Sequence, residues 1–191
     1  MALINVEARE IHCKVVYYGP GLGGKTSNLQ YIHSQIPPAT KGELLSIATE
    51  MERTLFFDFL PLDMGKVRGF HTRFHLYTVP GQMIYERTRV AVLNGADGVV
   101  FVADSQRDRL EENINSLREL ARNIQKQGKR FQDFPVVMQY NKRDLPTSLP
   151  VAVLDKYLNT FNWERHEATA TAGQGVFDTL KGISKLVIGK L

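Results

Sequence analysis

Apolar and polar positions along the chain follow two periods that alternate from end to end. Ile11 to Tyr18 is a β-rich run that reads as a first strand. Asn28 to Gln35 reads as the body of a helix that opens at Lys25 and is ended by Pro37-Pro38. Arg53 to Pro61 and Phe70 to Val79 are two further β-rich runs. Leu62-Asp63-Met64-Gly65 between them predicts a hairpin turn, and with it one antiparallel strand at a sheet edge. Val99 to Ala103 and Val136 to Tyr140 are continuous apolar runs, the composition of central strands buried on both faces. Between them, Leu110, Ile114, Leu117, Leu120 and Ile124 fall on one stripe of a helix from Arg109 to Gln127. A helix over Val151 to Leu158, a strand over Glu164 to Ala170 and a closing helix over Val176 to Leu186, with its stripe at Leu180, Ile183 and Val187, complete the order. Strand and helix in alternation predict an α/β fold: a mostly parallel six-stranded sheet with one antiparallel edge strand, and about five helices covering both faces.

Between the first strand and the first helix stands Gly19-Pro20-Gly21-Leu22-Gly23-Gly24-Lys25-Thr26, which has the form G-x-x-x-x-G-K-[ST] in the setting that motif requires. Glycines let the backbone curl with its N–H groups inward, so that several donors and the positive end of the helix meet phosphate oxygens. Gly19, Gly21, Leu22, Gly23, Gly24 and Ser27 are the expected phosphate-side residues. Lys25 supplies a point charge to the β- and γ-phosphates, and the Thr26 hydroxyl is the expected ligand of Mg²⁺, a hard cation that takes oxygen ligands.

The base is chosen elsewhere. Asn141-Lys142-Arg143-Asp144 follows directly on the apolar strand Val136 to Tyr140 and has the form N-K-x-D. The Asp144 carboxylate offers two acceptor oxygens, matched to the N1–H and N2–H₂ donors on the edge of guanine. Adenine presents neither donor there, and an unpaired carboxylate penalises the wrong base. The aliphatic stem of Lys142 suits a flat base, and Asn141 is expected to tie this loop to the phosphate loop. Thr169 and Ala170, at the end of the last strand, stand where a backbone amide is expected to reach guanine O6.

Composition narrows the class. At 191 residues the chain fits a single domain spanning 1–191. The formal charge of +4 comes from Lys and Arg dispersed among acids, which argues against a nucleic-acid partner. Cys13, the only cysteine, lies in an apolar run, so no disulfide forms within the chain and a cytoplasmic location is expected. The start Met1-Ala2-Leu3-Ile4 lacks a secretory pattern, Ala2 excludes N-myristoylation, and Ile188-Gly189-Lys190-Leu191 has no cysteine to prenylate, so no direct membrane anchor is expected.

The two motifs in this order resemble the Ras-like small GTPases over essentially the whole chain, which implies a P-loop NTPase G domain. The chain is still more similar to the bacterial gliding-motility (MglA) family, in Tyr17-Tyr18-Gly19-Pro20-Gly21-Leu22, in Glu52-Arg53-Thr54-Leu55-Phe56-Phe57-Asp58-Phe59-Leu60-Pro61 and in Arg73-Phe74-His75-Leu76-Tyr77-Thr78-Val79-Pro80-Gly81-Gln82. That resemblance implies a GTP/GDP switch in bacterial polarity or gliding and twitching motility, cytoplasmic, recruited to a cell pole through partners and monomeric alone. It also implies polarity or motility effectors, and slow hydrolysis accelerated by a dimeric MglB-like Roadblock protein. By the same resemblance Gln82 orients attacking water, Gly81 offers its amide to the γ-phosphate, Thr54 is the switch threonine, with Thr40 and Thr49 as rivals, and Arg53 is an arginine finger acting in cis.

One departure stands out. Thr78-Val79-Pro80-Gly81 lacks the aspartate of the usual D-x-x-G, which holds Mg²⁺ through water. Asp58, on the neighbouring strand, is the candidate replacement, although strand alternation allows it to face solvent instead. The missing acid also leaves room for a GTP-gated scaffold with little or no hydrolysis. An ATP-dependent phosphotransferase is disfavoured by Asn141 to Asp144.

Overall fold

The structure, a computed structural model, describes residues 2–47, 57–81 and 85–191. Strands are β1 Leu3–Asn5, β2 Glu10–Tyr18, β3 Leu45–Ile47, β4 Phe57–Val67, β5 Phe70–Thr78, β6 Gly98–Asp104, β7 Val136–Asn141 and β8 Arg165–Glu167. Helices are α1 Lys25–Gln35, α2 Glu86–Leu93, α3 Leu110–Lys126, α4 Val151–Leu158 and α5 Val176–Gly189. The sheet runs β3-β4-β5-β2-β6-β7-β8, with β1 added antiparallel to β2. From β5 to β8 every pairing is parallel, and the β3-β4-β5 end is antiparallel. The α/β class with helices on both faces is therefore present, with eight strands among the described residues rather than six. The two additions, β1 and β3, are three residues each, too short for a period to register in the sequence.

Alternation along the strands divides the core into two. Val16, Tyr18, Val99, Phe101, Val136 and Met138 face α2, α3 and α4, packing with Leu93, Leu120 and Leu154. Cys13, Val15, Tyr17, Val100, Val102 and Val137 face the other way, against Leu29 and Ile32 of α1 and Leu180 and Ile183 of α5. β6 and β7 are buried throughout, as continuous apolar runs require. Burial pushes the Cys13 thiol up to about 12, so it behaves as a small core apolar group.

The hairpin turn lies elsewhere than expected. Leu62 to Gly65 belongs to β4, with a register shift between Asp63 and Lys66, and the chain reverses at Arg68-Gly69, where φ is 50° and 86°. A type I′ two-residue hairpin turn needs positive φ at both central positions, and Arg68-Gly69 supplies it. Gly65, at φ 73°, instead forms a bulge with its N–H on Asp63 Oδ1 at 2.8 Å. Of the strand expected over Arg53 to Pro61, the first part lies outside the described residues.

Candidate functional site

β2 ends at Tyr18 and α1 begins at Lys25, so the glycine-rich turn spans 19–24 at the carboxyl edge of the sheet. Two of its glycines are required by space. A Cβ on Gly19 would lie 2.2 Å from Val102 O, and one on Gly24, at φ 104°, would lie 2.1 Å from Asn141 Nδ2. Leu22 adopts φ 61° without being glycine and is almost fully exposed. α1 has no acidic residue in its first turn, which leaves its amide end suited to an anion.

Lys25 is 6% exposed, and its ammonium donates to Gly19 O at 2.9 Å and Pro20 O at 2.6 Å. Burial first, then the charge of Arg89, pushes its pKa down from 10.5 to about 7, opposed by Asp58. A lysine held so far from water is a cation short of a counter-ion.

Beside it lies the acid. Alternation on β4 places Asp58 with Leu60 and Leu62 on the inward face, at 8% exposure. The Asp58 Oδ2 atom accepts from Thr26 Oγ1 at 2.6 Å and from Thr78 Oγ1 at 2.8 Å, and Oδ1 accepts from Ser46 Oγ of β3 at 2.7 Å. The Asp58 N–H in turn donates to Thr78 Oγ1 at 2.8 Å. The β4–β5 register, Phe59 opposite Tyr77, sets these two residues across from each other. Thr78, at the position of the usual aspartate, thus uses its hydroxyl to hold a carboxylate from the next strand, the same oxygen that Thr26 meets. Gly24 to Ser27, Ser46, Asp58 and Gly81 help to line a cleft of about 440 Å³. Gly81 closes on the phosphate loop so tightly that a Cβ there would lie 2.1 Å from Gly21 N.

The second loop is joined to the first. Asn141, at the end of β7, donates from Nδ2 to Gly23 O at 2.8 Å and accepts at Oδ1 from the Ala170 N–H at 2.9 Å. The Ala170 amide, expected to face a base, is thus already engaged by Asn141, and Thr169 is buried with its N–H on Gln174 O. Lys142 takes φ 65°, and its Nζ donates to Asp104 Oδ2 at 2.7 Å. Asp144 is exposed and has no partner among the described residues. Below these loops Asn28 of α1 and Gln139 of β7 exchange side-chain amide hydrogen bonds at 2.8 and 2.9 Å. Asn28 Nδ2 also donates to Gly24 O, and Gln139 Nε2 also donates to Thr179 Oγ1, a buried network beneath both loops.

Arg53, Thr54 and its rival Thr49, and Gln82 lie outside the described residues, while Thr40 ends a short 3-10 turn at Pro38–Thr40, short of β3. Sequence reasoning missed Ser46, Asp104 and the pair formed by Arg89 with Glu119. Asp104 carried a usable signal: an acid closing an apolar strand, at the edge where ligands bind open α/β sheets. Ser46 and the Arg89 pair carried none, because their partners are set by tertiary packing.

The profile of the ADP-ribosylation factor family (Arf) matches residues 53–187. The chain is 56% identical to the mutual gliding-motility protein MglA of Myxococcus xanthus (strain DK1622) over 191 residues, which is 100% of this chain and 98% of that protein. It is 27% identical to human ADP-ribosylation factor-like protein 4C over 136 residues, covering 68% of this chain and 67% of that one. It is 28% identical to ADP-ribosylation factor-like protein 6 of Caenorhabditis elegans over 126 residues, covering 62% and 65%.

Proposed function

The chain belongs to the Ras-like small GTPases, within the Arf-type group and the MglA family, and from that premise we propose that it is a GTP/GDP switch in which Asp58 replaces the acid missing at Thr78. The single observation that carries the proposal is the Thr26–Asp58–Thr78 hydrogen-bond set. A carboxylate that accepts from the phosphate-loop hydroxyl leaves the Thr26 oxygen lone pairs to face the cleft. Hydroxyl and carboxylate oxygens are the donor set that Mg²⁺ takes, so the residues present fit the metal. Thr26 would hold it directly, with Thr54 as a second ligand and Asp58 acting through water. Mg²⁺, when bound, neutralises charge on the β- and γ-phosphate oxygens.

The remaining roles follow from the chemistry of each group. Lys25 gains in the phosphates the counter-ion that its burial denies it, and the 19–24 backbone with Ser27 encloses their oxygens. Asp144 reads the guanine edge, Lys142 lays its stem along the ring, and the Ala170 N–H is shared between Asn141 Oδ1 and O6, with Thr169 shaping that turn. Gly81 brings its amide to the γ-phosphate. Gln82 orients the attacking water and Arg53 supplies positive charge to the transition state, a contribution worth roughly 10³–10⁵ in rate in other GTPases. Nucleotide state is read out by the 39–54 and 80–89 segments.

Within a cell this single domain works as a cytoplasmic switch in polarity or gliding motility, monomeric alone. It is recruited to a pole through partners and is activated by a dimeric Roadblock-type protein of the MglB kind. Among the described residues no helix is long and apolar enough to cross a membrane. Single-turnover GTP hydrolysis with and without such a dimer tests the reading. The dimer should accelerate the unmodified chain and leave Arg53→Ala slow, whereas equal acceleration of both would remove Arg53 from the mechanism.

A further inference from the structure

Asp104 closes β6 directly beside Asn141 of the base-side loop, in the register Asp104 opposite Asn141, and is fully buried. A carboxylate removed from water is strongly unfavourable unless it is paired, and this one is paired with unusual completeness. Its Oδ1 accepts from the Gln106 N–H and Nε2, each at 3.1 Å, and its Oδ2 accepts from Lys142 Nζ at 2.7 Å. Arg109 Nε lies 3.9 Å from the same Oδ2, while Arg109 Nη2 donates to Gly21 O of the phosphate loop at 2.9 Å. The backbone is fixed as well: the buried Asn113 side chain accepts from the Asp104 N–H at 2.9 Å and donates to its C=O at 2.7 Å. Nothing in this arrangement is free to turn.

What that fixed carboxylate does to Lys142 is the functional point. Lys142 sits at φ 65°, a conformation that L-residues disfavour, and its side chain is only about one quarter exposed. An unpaired lysine in a loop sends its ammonium to water and samples many rotamers. Here the ammonium is held at the strand end by the Asp104 carboxylate, which restricts the paths open to the four-carbon stem.

We infer that Asp104 is a positioning residue for the nucleotide: it anchors the Lys142 ammonium so that the stem forms a rigid flat surface for the purine ring, and through Arg109 it ties that surface to the phosphate loop at Gly21. This rests on the reading that sets the Lys142 stem against guanine. Because the stem meets the ring face, the grip is common to GTP and GDP, and it is blind to the 2-amino group that Asp144 reads. Asp104 therefore governs how long a nucleotide stays, not which purine is chosen among those with the same ring and O6.

The test uses the full chain loaded with N-methylanthraniloyl GDP and Mg²⁺, with release followed by fluorescence after adding excess GDP. Asp104→Asn should release the nucleotide about 10- to 100-fold faster, the loss expected for one buried charge-assisted hydrogen bond. Lys142→Met, which keeps a stem and removes the anchored charge, should accelerate release by a similar factor. The double variant should be no faster than the faster single. The ratio of GDP to inosine diphosphate affinity should stay at its unmodified value in Asp104→Asn, a readout that general damage to the loop would move. Melting of the GDP-loaded proteins checks folding, and should Asp104→Asn fail to fold, Lys142→Met decides alone: unchanged release overturns the proposal. So does a double variant whose acceleration is the product of the two singles, or an altered inosine ratio. Were the unmodified chain to hold GDP no better than ADP, the base-loop reading itself would fall. Guanine preference with independent Asp104 and Lys142 effects sinks only the anchor.

Discussion

Nucleotide binding should take up a proton above neutral pH, and Lys25 is the reason. In the folded chain its ammonium is buried on two backbone carbonyls, and burial, reinforced by Arg89, brings its pKa down to about 7. In the unfolded chain the lysine keeps its proton up to about 10.4. Between those two values the unfolded state binds more protons than the folded one. Stability of the nucleotide-free protein should therefore rise with pH from about 7 to about 10, and be poorest below 7, where folding must bury the cation. Phosphate oxygens reverse the balance by giving the ammonium its partner. At pH 8 a group of pKa about 7 is roughly one-tenth protonated, so restoring its ordinary affinity takes up about 0.9 proton per nucleotide, against about 0.1 at pH 6. The terminal phosphate of the nucleotide, with a last pKa near 6, adds little at pH 8. Calorimetry of GDP binding to nucleotide-free protein, in two buffers of different ionisation enthalpy, reads the proton number as the slope of apparent enthalpy. Uptake near one proton at pH 8 that disappears in Lys25→Met is expected. No uptake at pH 8 would refute the claim that this lysine waits uncompensated for an anion.

Two further substitutions probe the supports of the cleft. Gly24→Ala forces a side chain into positive φ and to within 2.1 Å of Asn141 Nδ2. The Asn141 bond to Gly23 O should be lost, and GDP binding measured by calorimetry should weaken by about 10-fold or more. Glu119 of α3 takes both Arg89 Nε at 2.6 Å and Nη2 at 3.1 Å, while Arg89 Nη1 reaches Pro80 O at 3.2 Å, just before Gly81. Removing the acid breaks this buried ion pair, so Glu119→Ala should lower stability in urea unfolding by about 3 kcal/mol. A change under 1 kcal/mol would mean that the pair is well replaced by water.

How far the sequence could be read depended on how local each feature is. The 19–26 turn carries its four glycines, Lys25 and Thr26 in one stretch between a strand and a helix, so its place could be read from local sequence. The same holds for 141–144 at the end of an apolar run. Asp58 could be named but not aimed, because its direction follows from strand alternation and its partners Thr26 and Thr78 come from other elements. The turn assigned to Leu62–Gly65 failed because two glycine-bearing tetrapeptides compete there. Gly65 tolerates a bulge, while Arg68-Gly69 supplies two consecutive left-handed residues. Asp104 and Lys142 are separated by 38 positions, and the buried amide pair of Asn28 and Gln139 by 111. No spacing rule links residues brought together only by sheet order.

If Asp58 serves the metal through water, the acid usually found at the end of β5 has its counterpart on the neighbouring strand β4. Mg²⁺ titration of nucleotide retention, comparing the unmodified chain with Asp58→Asn and with Asp58→Asn/Thr78→Asp, decides whether it does. Asp58→Asn should need about 10- to 100-fold more Mg²⁺ for half-maximal retention, and the acid restored at position 78 should recover most of that loss. An Asp58→Asn protein with the Mg²⁺ dependence of the unmodified chain would contradict the account.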